Sequence, residues 1–320
     1  MMSAPLIQVR DLVQKIGGQE ILKGISLDIH KGETLVLLGK SGGGKSVFLR
    51  HLIGLMRPVS GSILFEGREV TTLKERQLEP VRKKIGGQEI LKGISLDIHK
   101  GETLVLLGKS GGGKSVFLRH LIGLMRPVSG SILFEGREVT RLKERELEPV
   151  RKKIGMLFQD GALFDSMNVF DNVAFPLRER GERNPEVIKQ KVDESLAMVN
   201  MRGHDKKMPV NLSGGMRKRV ALARAIISPP DVILYDEPTA GLDPIVSDSI
   251  NKLIRRLQSE LHVTSVVVTH DMVSCNHIAD RVALLNEGRI YFTGTTDDLR
   301  ATMDPTIRDF VDGRSGETIY

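Results

Sequence analysis

Apolar residues fall into short runs bounded by glycine, proline and charge. From Glu33 to Leu38 the run Glu-Thr-Leu-Val-Leu-Leu reads as a strand, and after a glycine-rich octapeptide the stretch from Val47 to Ile53 reads as a helix. Val232 to Tyr235 is a continuous apolar run ending in two carboxylates, and Val266 to Val268 is another ending in Thr269 and His270. Such short runs suit strands buried on both faces. Residues from Arg217 to Ile227 follow helical spacing with a basic face. Strands interleaved with helices predict an α/β fold.

The pattern occurs twice. Residues 15–83 recur as 84–152 with only Thr72 changed to Arg141 and Gln77 to Glu146, so 320 residues less 69 leave 251 of distinct sequence. A unit of this length present twice, without capping variants or a third copy, is a tandem duplication and not a solenoid. Lys-Ile-Gly stands at 15–17, 84–86 and 153–155, at both ends and the junction. Two near-identical copies compete for one place, so the expectation is a single domain over residues 1–320 with one copy surplus. Looping out the surplus costs about 4 kcal/mol plus a constant. Only a surface turn can host the break, and Gly17-Gly18 or the turn from Pro58 to Gly61 are the candidates.

The duplication also corrects the charge. The formal net charge of +7 falls to +2 without one copy, because each copy carries +5. A nucleic-acid footprint is therefore not indicated. With 40% hydrophobic and 27% charged residues the chain builds an ordinary core. No apolar run approaches the roughly 18 to 20 residues of a membrane span, and the N-terminus MMSAPLIQVRDL lacks a signal-peptide layout. A soluble chain on the cytoplasmic side is the expectation. Cys275 stands alone, which excludes a disulfide within the chain and leaves it as a small apolar filler.

Candidate chemistry follows the strands. Gly39, Lys40, Ser41, Gly42, Gly43, Gly44, Lys45 and Ser46, and their repeats Gly108, Lys109, Ser110, Gly111, Gly112, Gly113, Lys114 and Ser115, both spell G-x-x-x-x-G-K-[ST] between strand and helix. In such a phosphate loop the backbone amides and helix N-terminus cradle phosphates, the lysine reaches the β and γ oxygens, and the serine hydroxyl takes Mg²⁺. Asp236 at a strand end suits the same ion through its water shell, and Glu237 suits the water that attacks the γ-phosphate. Leu-Ser-Gly-Gly-Met opens the basic helix, placing Ser213, Gly214 and Gly215 at an anion-favouring N-terminus.

In this order the motifs resemble the ATP-binding cassette (ABC) family, over nearly all of the 251 distinct residues. Leu212 to Met216 is similar to its LSGGQ signature, with Met216 in place of Gln. Gln159 resembles the Q-loop, Ala240 to Asp243 the D-loop and His270 the switch histidine, although singly each reads as a surface Gln, a turn Asp or a strand-end His. The resemblance implies a P-loop NTPase fold: a RecA-like core, an N-terminal antiparallel β portion, a helical subdomain over about 160–213 and a tail over 302–320. It implies ATP and Mg²⁺ as cofactors, Glu237, His270 and Gln159 as catalytic residues, and Ser115 or Ser46 with Gln159 and Asp236 at the metal. A head-to-tail homodimer is implied too, each ATP held by one chain's phosphate loop and the other's Ser213 and Gly215, with Gly214 and Asp243 beside them. With one signature and one His270 the chain is half of that machine. The family's adenine-stacking aromatic is replaced by Ile16 or Ile85.

Of the two phosphate loops the second is the expected working one. Lys114 lies 45 residues before Gln159 with the intervening sequence contiguous, so only Gly17-Gly18 need break; the first loop, with Lys45, stays the alternative. LFQDGALFDSMNVFDNVAFPLRE, LSGGMRKRVALARA and the tail from Ile307 to Gly313 are similar to the ATPases of Mla/MCE phospholipid-transport systems. That similarity implies an integral-membrane permease, an MCE-domain lipid carrier and a STAS-domain subunit as partners, a peripheral place on the inner membrane's cytoplasmic face, and no nucleic acid. The apolar residues of 160–177 either line the groove for the permease or fill the subdomain core. Met216 to Arg219 reads as a solvated basic face. The alternatives are a cassette ATPase for another substrate, such as a polar amino acid, and a hydrolysis-defective nucleotide-dependent binder.

Overall fold

A computed structural model describes residues 5–16, 19–31, 33, 35, 44–52, 54, 56–73, 77–78 and 90–314. Where one domain was expected, the chain forms two compact units, Met1–Glu89 and Ile90–Tyr320. In the first unit, β1 (Ile7–Ile16) and β2 (Gln19–Ile29) make an antiparallel hairpin with Ile7 opposite Ile29 and Ile16 opposite Gln19. After α1 (Lys45–Leu52) come β3 (Ser60–Phe65), which pairs with the other edge of β1, and β4 (Arg68–Glu69). Ile7, Val9, Leu12, Leu22, Ile63 and Phe65 bury their side chains with Phe48 and Leu52 of α1.

This arrangement moves the break from its expected place. Gly17-Gly18 lies outside the described residues, but its flanks are paired, Lys15 with Glu20 and Ile16 with Gln19, so β1 stays with the first copy. A two-residue link closes this ladder locally. Joining β1 to the second copy instead requires the 69-residue loop and its cost of about 4 kcal/mol. The strand expected from Glu33 to Leu38 and the loop residues Gly39, Lys40, Ser41, Gly42 and Gly43 lie outside the described residues, Glu33 and Leu35 excepted.

In the second unit the order is β5 (Thr103–Leu107), α2 (Lys114–Leu121), the short pair β6 (Leu133–Phe134) and β7 (Arg137–Glu138), α3 (Glu144–Lys152) and β8 (Ile154–Leu157). Then follow α4 (Val169–Glu179), α5 (Pro185–Met198), α6 (Gly214–Ile226), β9 (Val232–Asp236), α7 (Pro244–Leu261) and β10 (Thr264–Thr269). The chain ends with α8 (Met272–Ile278), β11 (Arg281–Asn286), β12 (Arg289–Gly294), α9 (Thr296–Ala301) and α10 (Pro305–Val311). The six-stranded sheet has the order β12-β11-β5-β10-β9-β8 and is parallel except for β12.

Alternation decides which face each residue serves. Val105 and Leu107 of β5 join Ile233, Tyr235 and Val267 in a core shared with α4 to α7, while Leu104 and Leu106 join Leu234, Val266 and Val268 over Phe117 and Leu118 of α2. Cys275 is fully buried in the first of these cores, and burial pushes its thiol up to about 12. No helix among the described residues is long and apolar enough to cross a membrane.

Residues 7–14 of β1 lie outside the duplicated sequence, and among the described residues of the second unit no strand takes the place of β1. Residues 88–98 repeat β2 and residues 129–134 repeat β3, yet 90–98 form no strand and only Leu133 and Phe134 pair, with Glu138 and Arg137. Burial follows: Ile63 is fully buried beside β1, whereas its repeat Ile132 is half-buried. Ile63→Ala should therefore cost about 2 to 5 kcal/mol in chemical denaturation of the unit that holds it, and Ile132→Ala clearly less. Equal costs would show that β1 does not discriminate between the copies.

Candidate active site

The loop after β5 is shaped by close packing on one side and space on the other. Gly113 has φ +97°, and a Cβ there would stand 2.7 Å from Ile90 Cγ2; at Gly111, with φ +75°, nothing lies within 4 Å. The loop thus rests on Ile90 and Leu91 and opens outward, with the free amides of α2 at its mouth. A cavity of about 280 Å³ lies here, lined by Ile90, Ser110, Gly111, Lys114, Ser115, Gln159, Glu237 and His270 among others.

Glu237 is the meeting point of this cavity. Lys114 is 5% exposed, and its Nζ lies 3.2 Å from Glu237 Oε1 while donating to the carbonyls of Gly108 at 2.8 Å and Lys109 at 3.1 Å. Thr269 Oγ1 donates to Glu237 Oε2 at 3.1 Å, and His270 Nδ1 lies 3.1 Å from both carboxylate oxygens. The backbone of Glu237 is left-handed at φ +46°, held by its N–H bond to the Val268 carbonyl at 2.9 Å. Such a conformation costs about 1 to 3 kcal/mol and persists where its surroundings fix it. Here it turns the carboxylate to face Lys114 and His270.

A buried polar cluster supports the His270 turn. Asp271 caps α8 through the N–H groups of Val273 and Ser274 and accepts the Ser274 hydroxyl at 2.5 Å. Ser274 Oγ also accepts from Asn251 Nδ2 at 3.0 Å and lies 3.1 Å from Thr239 Oγ1. One serine thus ties together the segment after Glu237, the helix after His270 and α7.

Asp236 stands beside the phosphate loop, accepting the Ser115 hydroxyl at 2.9 Å. Burial holds its carboxyl above the ordinary value of 3.8, against the lowering effect of the Ser115 bond. Among the described residues no group of three or more His, Cys, Asp or Glu could hold a metal ion. One hydroxyl and one carboxylate oxygen are nonetheless the chain ligands that suit Mg²⁺, which takes its remaining oxygens from water and phosphate. The residues therefore fit the ion.

Not all the expected residues meet at the cavity. Gly39 to Gly43 are outside the described residues, as is the side chain of Ser46; Gly44 precedes α1 and Lys45 starts it in the first unit, which contains none of Gln159, Asp236, Glu237 and His270. Ser213 and Asp243 do not line the cavity. Each caps a helix instead, Ser213 Oγ accepting from Met216 N–H and Asp243 from Ile245 and Val246 N–H. Gly214 opens α6, and Gly215 lets it approach α7, since a Cβ there would lie 2.5 Å from Val246 Cγ1. Ile16 is exposed in the first unit and Ile85 is outside the described residues, while Ile90 lines the cavity.

The basic run on α6 is not a solvated face. Lys218 is buried and donates to the carbonyls of Gln159 and, at 3.2 Å, Glu237. Burial pulls its ammonium below the ordinary value, against the charges of Asp160, Asp236 and Glu237. Arg219 is tied to the Val199 carbonyl and the Ser249 hydroxyl, so only Arg217 of the three stays exposed. Helical spacing from Gly215 to Lys218 and Leu222, all buried, marks this inward face. Thr269 was also missed, and no pattern around it signals its bond to Glu237.

Comparison with known proteins agrees with this geometry. The chain matches the ABC transporter family over residues 22–88 and 91–240. It is 42% identical over 238 residues to the probable ribonucleotide transport ATP-binding protein mkl of Mycobacterium leprae, covering 74% of this chain and 69% of that protein. It is 44% identical over 228 residues to the intermembrane phospholipid transport system ATP-binding protein MlaF of Escherichia coli K12, covering 71% and 85%. The solved dimeric structure of the bacterial ABC transporter cassette MJ0796 superposes with a TM-score of 0.61 at 25% identity, covering 91% of this chain and 98% of that one. The chain belongs to the ABC transporter family and is an ATP-hydrolysing cassette.

Proposed function

We propose that this chain powers phospholipid transport between membranes, binding ATP at the loop from Gly108 to Ser115. The observation that carries the ATP site is the convergence of Lys114, Ser115, Glu237 and His270 on one cavity, with Asp236 bonded to Ser115 behind it. The substrate reading rests on the 44% identity to MlaF over 85% of that protein.

In this reading Lys114 exchanges partners. Its Nζ bonds two loop carbonyls and Glu237, and a phosphate oxygen arriving at the loop competes with Glu237 for the ammonium. Released from that pair, Glu237 keeps Thr269 and His270 and orients the attacking water, while the exposed His270 and Gln159 face the same phosphate. Ser115 and Asp236, with Gln159 at the same cavity, would hold Mg²⁺, which would supply positive charge to the phosphate oxygens. Ser213, Gly214, Gly215 and Asp243 lie off the cavity and suit a second copy's nucleotide, which favours a head-to-tail homodimer. Its partners are a membrane permease, an MCE-domain lipid carrier and a STAS-domain subunit, with the chain peripheral on the cytoplasmic face of the inner membrane.

Glu237→Gln should lower ATP turnover by about a hundredfold to ten-thousandfold while ATP still binds; a variant keeping a tenth of the turnover removes Glu237 from its role. Asp236→Asn tests the buried carboxylate through pH. Because the folded state holds the Asp236 proton more tightly than the unfolded chain, stability falls as pH rises from 3.8 through the raised value. At neutral pH the charge therefore opposes folding. The variant should be more resistant to urea there, its advantage shrinking as pH falls through that window, while Mg²⁺-dependent turnover is lost. For the substrate, the assembled transporter in vesicles should couple ATP turnover to movement of a fluorescent phospholipid; stimulation by ribonucleotide alone would sink the phospholipid reading.

A further inference from the structure

The loop after β8 is held against α6 by two cations of that helix. Lys218 Nζ donates to the Gln159 carbonyl, and the Arg224 guanidinium donates to the carbonyls of Gly161 at 2.9 Å and Ala162 at 2.7 Å. Loop and helix approach closely: a Cβ at Gly161 would stand 3.4 Å from the Arg217 carbonyl and 3.5 Å from Ala221 Cβ. Ala162 is left-handed at φ +48°. Such a backbone persists where its surroundings fix it, and the Arg224 bonds fix this one.

Lys218 differs from Arg224 in reaching a second element. Its Nζ also donates to the Glu237 carbonyl at 3.2 Å, so one buried ammonium joins the backbone of Gln159 to that of Glu237. Glu237 is thereby held at both of its peptide groups. Its N–H donates to the Val268 carbonyl at 2.9 Å, and its carbonyl accepts from Lys218 and from the Ala240 N–H at 3.2 Å. From this left-handed backbone the carboxylate faces Lys114 and His270. The charges of Asp160, Asp236 and Glu237 partly offset the cost of burying the ammonium.

We propose that Lys218 is a positioning residue for ATP hydrolysis, setting Gln159 and Glu237 in register at the cavity. The proposal rests on Glu237 as the group that orients the attacking water. Lys218 does not line the cavity, so nucleotide binding at Gly108 to Ser115 does not depend on it. Displacing a reacting group by about 1 Å costs on the order of a hundredfold in rate. Methionine keeps an unbranched apolar stem in place of the lysine but removes its donors, whereas arginine retains donors for both carbonyls.

Steady-state ATP turnover of the purified full-length chain tests this. Lys218→Met should lower kcat by about tenfold to a hundredfold with KM for ATP changed less than about threefold, and Lys218→Arg should return kcat to within about threefold of the unsubstituted chain. Arg219→Met removes a cation of the same helix that is bonded to Val199 and Ser249 instead, and should keep kcat within about threefold. Added to Glu237→Gln, Lys218→Met should lower turnover less than about threefold further, because the carboxylate it positions is gone. Should methionine prevent folding, Lys218→Gln carries the test, with at least about a threefold loss of kcat at unchanged KM. Unchanged kcat, an equal loss in Arg219→Met, no recovery in Lys218→Arg, or the full loss repeated on top of Glu237→Gln overturns the proposal. The role of Glu237 itself is judged separately, by the single Glu237→Gln variant.

Discussion

The site depends on β5 filling the place between β10 and β11. Leu104 to Leu107 pair on one side with Val266 to Thr269 and on the other with Arg281 to Leu284, burying apolar side chains on both faces of the sheet. Each such side chain contributes roughly 1.5 to 3 kcal/mol of burial. Because β5 and β9 both pair in parallel with β10, the loop leaving β5 emerges beside Asp236 and Glu237. Lys114 and Ser115 reach those carboxylates for that reason alone. The duplicated sequence supplies this strand twice, and the sheet has one place for it.

The opposite scarcity governs the antiparallel strands. Two copies of the β2 and β3 sequences exist for one β1, and the copy joined to it by a two-residue link takes it. The same residues then differ in structure by context: Phe65 lies in a four-stranded sheet and is buried, whereas Phe134 lies in a two-residue pair and is half-buried. Strand formation here follows from partners and burial, which sequence repeats cannot convey.

Much of the site was legible beforehand because its chemistry is local. The phosphate loop, Asp236, Glu237, Gln159 and His270 each sit at the end of a readable apolar run, and the sheet brings the loop, Glu237, Gln159 and His270 to one cavity with Asp236 bonded to Ser115. What was not legible depends on long-range placement. Lys218 read as a surface charge because its neighbours Arg217 and Arg219 are basic, although its place one helical turn from Gly215 pointed inward. Thr269 and Ser274 act through bonds to residues far away in sequence. The destination of β1 was misjudged because the short hairpin outweighs the longer loop.

The central claim is that the second copy's phosphate loop is the working one. Purified, full-length Lys114→Ala and Lys45→Ala variants compared for ATP turnover test it most directly. The structure predicts that Lys114→Ala loses turnover and Lys45→Ala keeps it, since Lys114 is bonded to Glu237. Loss in Lys45→Ala with Lys114→Ala unaffected, or tolerance of each change with loss only in the double variant, would contradict it.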